Sequence, residues 1–435
     1  MPYTTIDVTD EVVAIKRLDV AAVIPKMLAF AFAGVALITL VLDIRDWVLW
    51  FSMICTAIFL ALIGRAIEHG SAWAVVLMTV AVSALSLFSL VGIVIYTGDL
   101  ITGRLEDTSE SNLKATAGLI LLLIPTWITV RHGLKVVWHR QRTPLWIKPE
   151  RHSVWSQLPR DGRLRMALHT FATSVLTGLA GVMVAAPVAV VTGHLLFAAL
   201  VYLPFARWAG RSWTRGRREL TLRVQEVRKL DARPPVLLLR SFEDDNILLE
   251  RNPRLLWFFH AAKEAFTLEE YVVNCIWKLG PVIAVGKPGE DVSPLGAARD
   301  YLEEYQWRDC IRKYLDEAAY VVSILGSTPG LRWEYEQIGA RGKQDNVIVV
   351  FPPKPFEQLQ RRWELFRTLF DRAASVDLAF GPTRAAPLLA LFRGAGTCPV
   401  VLRCFINDET AYGVAFWKLS ECLKTPGGPC FGSDR

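Results

Sequence analysis

The chain has 435 residues, 52% of them hydrophobic and 21% charged, with a formal net charge of +7. That length admits two or three domains, and a mean hydropathy of +0.30 excludes a disordered, solvating chain and points to membrane-spanning helices. The basic balance does not make it a nucleic-acid binder, because the bases crowd the ends of apolar runs, where they orient a membrane protein; the seven cysteines form no CxxC pair and no zinc spacing, so no metal site is expected and a reducing compartment is.

Residues 1–23 carry acids and no cleavage site, and are expected to be a retained cytosolic segment. A bilayer crossing needs about 20 mostly apolar residues, and residues 24–206 predict six: Ile24–Leu42, Trp47–Gly64, Ala72–Tyr96, Ala115–Val130, Met166–Ala185 and Val188–Ala206. The fourth is short and holds Pro125. The last two come from one apolar stretch, which Pro187 is expected to turn. Bases gather before the first span (Lys16, Arg17), in the loop 131–165 (Arg131 to Arg165) and after the sixth (Arg207 to Arg218), whereas the loop with Asp99, Glu106, Asp107 and Glu110 is acidic. Six crossings put every basic segment on one side, which predicts a multi-pass inner-membrane protein with both ends cytoplasmic. A reporter fused after Lys114 with cytoplasmic activity would break that arrangement. His194 in the last span reads either as a functional ionisable group or as a neutral imidazole bonded to a neighbouring helix. The loop 131–165 mixes bases with Trp138, Trp146 and Trp155, which suits anionic lipid better than nucleic acid. Residues 207–233 predict a basic amphipathic connector helix.

Beyond Pro234 the pattern changes. PVLLLRSF (235–242), PVIAVG (281–286), AYVVSILG (319–326), NVIVVFPP (346–353) and CPVVLRCF (398–405) are short apolar runs typical of buried parallel strands. Between them TLEEYVVNCIWKLG (267–280), YQWRDCIRKYLDEA (305–318), RWEYEQIGAR (332–341) and PFEQLQRRWELFRTLF (355–370) have helical spacing, and DETAYGVAFWKLSECL (408–423) closes the domain. Thr267 caps the first of these helices and Glu269–Glu270 occupy its first turn. Alternation of this kind predicts a doubly wound parallel sheet, so the whole chain reads as an α-helical membrane bundle followed by a flavodoxin-like α/β domain over 234–423, with a tail at 424–435.

In such a sheet ligands sit beyond the carboxyl ends of the strands. That rule selects Arg240, Ser241, Phe242, Asp244 and Asp245 after the first strand. It selects Gly286, Lys287 and Gly289 after the second, and Gly326, Ser327, Thr328, Trp333 and Glu334 after the third. Each has a plainer reading. Arg240 caps a strand, Asp244–Asp245 form an Asx-type turn, and Glu334 complements a helix N-terminus. Trp363 and Arg361–Arg362 look like an ordinary amphipathic helix face.

The order of elements resembles a Toll/interleukin-1 receptor (TIR) domain over about 234–423. LRSFEDD is similar to the first TIR box, GKPGE to the loop after the second strand, and STPGLRWEYEQ to the segment where a tryptophan and a glutamate open the third helix. Phe416-Trp417 stands where such domains often carry that pair. The resemblance implies cleavage of the nicotinamide–ribose bond of NAD in signalling or defence, with NAD as substrate and no further cofactor or metal. Glu334 would be the catalytic acid, with Glu336 as the alternative because the spacing from Trp333 departs from the usual four positions. Trp333 or Phe242 would wall the base, and Arg240 with the glycine-rich loops would hold phosphates. It equally implies homotypic self-association, which leaves a non-enzymatic scaffold or a nucleotide sensor open.

Overall fold

The structure is a computed structural model that describes residues 3–18, 20–22, 25, 47–68, 73–80, 131, 134, 162–192, 195–244, 247–250, 266–286, 295–301, 306–394 and 397–424. The chain divides into two compact units. One comprises 10–146 with 253–256, and the other 1–9, 147–252 and 257–435. The expected spans at 24–42 and 115–130, most of 72–96, His194, and the full loop 131–165 apart from Arg131, Leu134 and 162–165 lie outside the described residues.

Within the first unit, helical residues 10–18, helix α1 (Trp47–Glu68) and helical residues 73–80 are described. Leu18, Ala21 and Ala22 pack with Ile63, Ile67, Val75 and Met78 in one small apolar cluster, while Phe59, Leu62 and Trp73 stay exposed.

The second unit opens with strand β1 (Thr4–Asp7) and resumes with helix α2 (Gly162–Thr192) and helix α3 (Leu195–Glu219). The expected turn at Pro187 is not made. The proline sits inside α2, and the break comes at 193–194. A proline removes one backbone bond without ending a helix whose apolar run continues on both sides. Close approach of α2 and α3 relies on small residues. A Cβ on Gly181 would stand 2.6 Å from the Phe205 Cβ, and one on Gly216 2.7 Å from the Phe171 ring. The Ser174 hydroxyl donates to the Ala209 carbonyl at 2.7 Å. Outward, the pair is apolar: Leu176 is 66% and Met183 75% exposed. The segment Arg163–Ala185 is long and apolar enough to cross a membrane, with 22% of its most apolar window buried; it is the one such helix among the described residues. The single connector helix expected over 207–233 is instead the end of α3, a turn, and the short helix α4 (Val224–Leu230).

The remainder is an α/β domain. Its strands are β2 (Val236–Leu239), β3 (Val282–Val285), β4 (Ala298–Asp300), β5 (Tyr320–Ile324), β6 (Val347–Val350), β7 (Ala386–Phe392) and β8 (Val400–Cys404). Its helices are α5 (Leu268–Ile276), α6 (Trp307–Glu317), α7 (Pro329–Ala340), α8 (Phe356–Leu369) and α9 (Glu409–Lys424). The five expected strands all form, as short runs buried on both faces. The expected all-parallel sheet does not. Eight strands lie in the order β1-β8-β7-β6-β5-β2-β3-β4. Five neighbours, β4-β3-β2-β5-β6, are parallel. Then β7 runs antiparallel to both β6 and β8, and β1 joins the far edge parallel to β8, Thr4 facing Val400. The sequence between α8 and β8 had suggested no strand, yet β7 forms there inside the sheet, buried at six of its seven residues.

Helices α6, α7 and α8 cover one face, where Leu331, Tyr335 and Ile338 meet Leu359, Trp363 and Phe366 over Leu237, Val321 and Val349. Helices α5 and α9 pack together away from that layer, α9 lying on β7 and β8. The chain leaves β2 toward β3 on one side and returns to β5 on the other. The carboxyl ends of β2 and β5 therefore flank a topological switch point, where a crevice forms in such sheets.

Candidate functional site

Around that switch point the domain buries its charge. Arg240, Ser241, Asp244, Glu269, Glu270 and Arg299 are all buried, which is unusual for such side chains unless they are paired. Glu269 is the hub. Thr267 caps α5, accepting a hydrogen bond from the Glu270 N–H, and this sets Glu269 in the first turn, where the helix dipole favours an acid. Its two oxygens each accept from the Arg299 guanidinium at 2.7 Å. The Arg240 Nε lies 2.9 Å from Glu269 Oε2, and the Ala297 N–H donates to Oε1 at 3.4 Å. Gly296, at φ +142°, has no side chain where a Cβ would stand 2.8 Å from that oxygen.

Glu334 stands close enough to the same arginine to feel its charge. Helix α7 begins at Pro329, with Thr328 as its N-cap, so Glu334 lies in the second turn rather than the first turn expected. The dipole interaction fades within one turn, which weakens the reading of Glu334 as a helix-end complement. As a residue Glu334 is half-buried, but its Oε2 is sealed from solvent with no hydrogen-bond partner among the described residues. Burial pushes its carboxyl up to about 8, opposed by the Arg240 charge. The arginine is already shared with Glu269, so it does not hold Glu334 ionised.

The adjoining Tyr335 fixes the helix in place. Its hydroxyl shares a 3.0 Å hydrogen bond with Ser323 on β5 and accepts a long one, 3.5 Å, from the Gly326 N–H. A Cβ on Gly326 would meet Leu331 at 2.8 Å and the Ser241 Cβ at 3.2 Å, so only glycine lets the β2 and β5 ends close here. Phe242 is exposed, with the Arg240 guanidinium 5.4 Å from its ring centre, within cation–π range.

The structure thus brings Arg240, Ser241, Phe242, Asp244, Gly326 and Glu334 to one end of the sheet, with Thr328 half-buried at the start of α7. The rest of the sequence-derived set lies elsewhere. Glu336 is exposed and pairs with Arg332 at 3.6 Å. The Trp333 ring packs edge-on against Trp307 at 4.8 Å, flanked by Arg308 and Arg312. Gly286 faces the Tyr301 ring at the β3–β4 end. Asp245 and Lys287 lie outside the described residues.

Asp244 is not the Asx-type turn that its sequence suggested. It lies in a single 3-10 turn, Phe242–Asp244, and its carboxylate pairs with Arg362 and, at 3.3 Å, with Lys354. Arg362 also donates to the Leu325 carbonyl at 2.9 Å, so the amphipathic helix expected over 361–363 forms and also reaches the site. Trp363 is core, and Arg362 ties α8 to the ends of β2 and β5. In the sequence Glu269 stood out only as a helix-start acid and Arg362 only as part of an amphipathic face, and Arg299 was not singled out. The signal for Arg362 was its place three after Leu359 and four before Phe366, on the buried stripe of its helix.

Comparison of the chain with protein-family models, characterised proteins and solved structures finds no match.

Proposed function

We propose that this chain is a membrane-anchored, TIR-like effector that cleaves the nicotinamide–ribose bond of NAD at the switch point, with Glu334 as the acting carboxyl. The observation that carries this reading is a sealed carboxyl without a hydrogen-bond partner among the described residues, in the second turn of α7 and opposed by Arg240. The bond between ribose C1′ and the pyridinium nitrogen breaks heterolytically. Its electron pair neutralises the nicotinamide, which leaves, and C1′ becomes oxocarbenium-like. A cationic substrate lowers the pKa of a neighbouring carboxyl. Glu334, protonated in the resting site, releases that proton to solvent as NAD binds, becomes the carboxylate that stabilises this charge, and then takes one proton of the water whose oxygen bonds to C1′. Arg240 offers the charge for a phosphate, and the exposed Phe242 offers a ring face. NAD is the substrate; the reaction written here calls on no other cofactor.

The anchoring part of the proposal is a multi-pass protein of the inner membrane with both ends cytoplasmic. The exposed apolar surface of α2 and α3 supports it. So does the pairing of β1 with β8, since it puts the start of the chain on the same side as the sheet and requires an even number of crossings between them. The partners are then the lipid bilayer and further copies of the chain. The second reading, a non-enzymatic assembly module or nucleotide sensor, is favoured by the closed packing of Gly326 against Leu331 and Ser241.

The test is nicotinamide release by the full-length chain in lipid nanodiscs, crowded to allow self-association. Release that Glu334→Gln abolishes and Glu336→Gln leaves intact is the expected result. Saturable NAD binding without release would overturn the enzyme in favour of the sensor, and self-association alone would leave the scaffold.

A further inference from the structure

A cavity of about 390 Å³ opens at the same end of the sheet but over β6, β7 and β8. It arises from the one reversal in the strand order. Because β7 runs against its neighbours, the loops leaving β6 and β8 and the loop entering β7 all converge there. The walls are fixed before any ligand arrives. Five prolines line the cavity, each with a locked φ. The Tyr412 hydroxyl donates to the Phe351 carbonyl, and the Phe351 N–H donates to the Leu388 carbonyl at 2.9 Å.

Its chemistry is one-sided. Among the described residues no acid lines it, whereas Arg384 and Lys354 do. Arg384 is exposed and makes no ion pair among the described residues. Lys354 shares Asp244 with Arg362, so that group of three keeps a net positive charge. Prolines offer flat apolar faces and no N–H donors, and Phe405 at the rim is 59% exposed. Positive charge beside rigid ring-sized walls, in a volume of the range that holds small organic ligands, selects for an anion attached to a flat ring.

We infer that this cavity is a binding site for a ring-bearing organic phosphate, of which a nucleoside monophosphate is the simplest, with Arg384 taking the phosphate and Phe405 the base. The site is separate from the switch point and does not depend on NAD cleavage there.

Calorimetric titration of the full-length chain in detergent with AMP, adenosine and inorganic phosphate tests it. AMP binds, and adenosine and phosphate each bind at least about tenfold more weakly, since each keeps only half of the contacts. Arg384→Ala and Phe405→Ala each weaken AMP by about tenfold. Both side chains are exposed, so the melting temperature stays constant and reports a folded protein. Glu334→Gln leaves AMP affinity unchanged. No AMP binding, phosphate binding as tightly as AMP, or an affinity indifferent to either substitution overturns the assignment. Loss of AMP binding in Glu334→Gln overturns it too, by moving the ligand to the switch point, and that result leaves the NAD reading standing.

Discussion

The α2–α3 pair and the α/β domain invert each other's composition. The pair turns large apolar side chains outward and closes on glycines and one serine hydrogen bond. The domain hides its apolar residues and, at one end, its charges as well. Small residues and hydrogen bonds are what hold helices together where lipid removes the hydrophobic drive. Buried arginines and glutamates are what a water-soluble core tolerates only as a matched set. The two regions are nevertheless fastened together. Arg217 pairs with Glu270 at 2.7 Å, Arg163 pairs with Glu226, and the Arg223 backbone bridges to Arg299 on β4. The residue beside Glu269 and the residue that clamps it are therefore both tied to the segment that carries α3.

The contrast can be broken from either side. The largest effect is expected for Arg299→Ala, which leaves Glu269 buried with half its partners and costs the domain about 3–5 kcal/mol; denaturant unfolding followed by fluorescence checks it. Leu176→Asp makes the converse change. It leaves that unfolding midpoint in detergent unchanged, yet lowers insertion into liposomes by about 2.5–3.5 kcal/mol if α2 crosses lipid. Gly181→Ala forces Phe205 to move and costs about 1–3 kcal/mol, whereas Gly178→Ala, with nothing within 4 Å of the new Cβ, costs nothing measurable. Helix-pair cross-linking separates the two.

Glu334→Gln gives an effect with a pH signature. Its folded-state carboxyl sits at about 8 against an ordinary 4.5. Between these values the folded state keeps a proton that the unfolded state has lost, so the native protein loses stability as pH rises from about 4.5 to about 8. The glutamine variant does not follow that fall. Its melting-temperature advantage is smallest near pH 4.5, grows to about pH 8 and then levels off; a constant difference would show that Glu334 does not titrate in the fold. Arg217→Ala leaves the buried Glu270 without this partner and costs about 1–3 kcal/mol, read as a drop in domain melting temperature.

The parallel strands were legible because burial on both faces leaves a run of β-branched residues with no alternation to confuse. The edge was not. APLLALF of β7 is as apolar as a core helix segment, and a four-residue strand such as TTID has too little pattern to register. Position on a helix stripe decided the site. Glu334 lies three after Leu331 and four before Ile338, both fully buried, so its place on the inner face was readable. Glu269 was visible only as a helix-start acid. Its second partner, Arg299, comes from a three-residue strand after a glycine-rich stretch, and nothing local announces that a guanidinium there is buried.

Strand β1 lies far ahead of its partner β8 in the chain, Thr4 facing Val400. For most of synthesis β1 has nowhere to go, and the open flank of β8 does not yet exist. Joining them must follow synthesis of everything between, and the entropy of closing so long a loop makes that step a late one. The seam between β1 and β8 is therefore a late checkpoint in maturation, one that a chain halted or misrouted partway cannot pass.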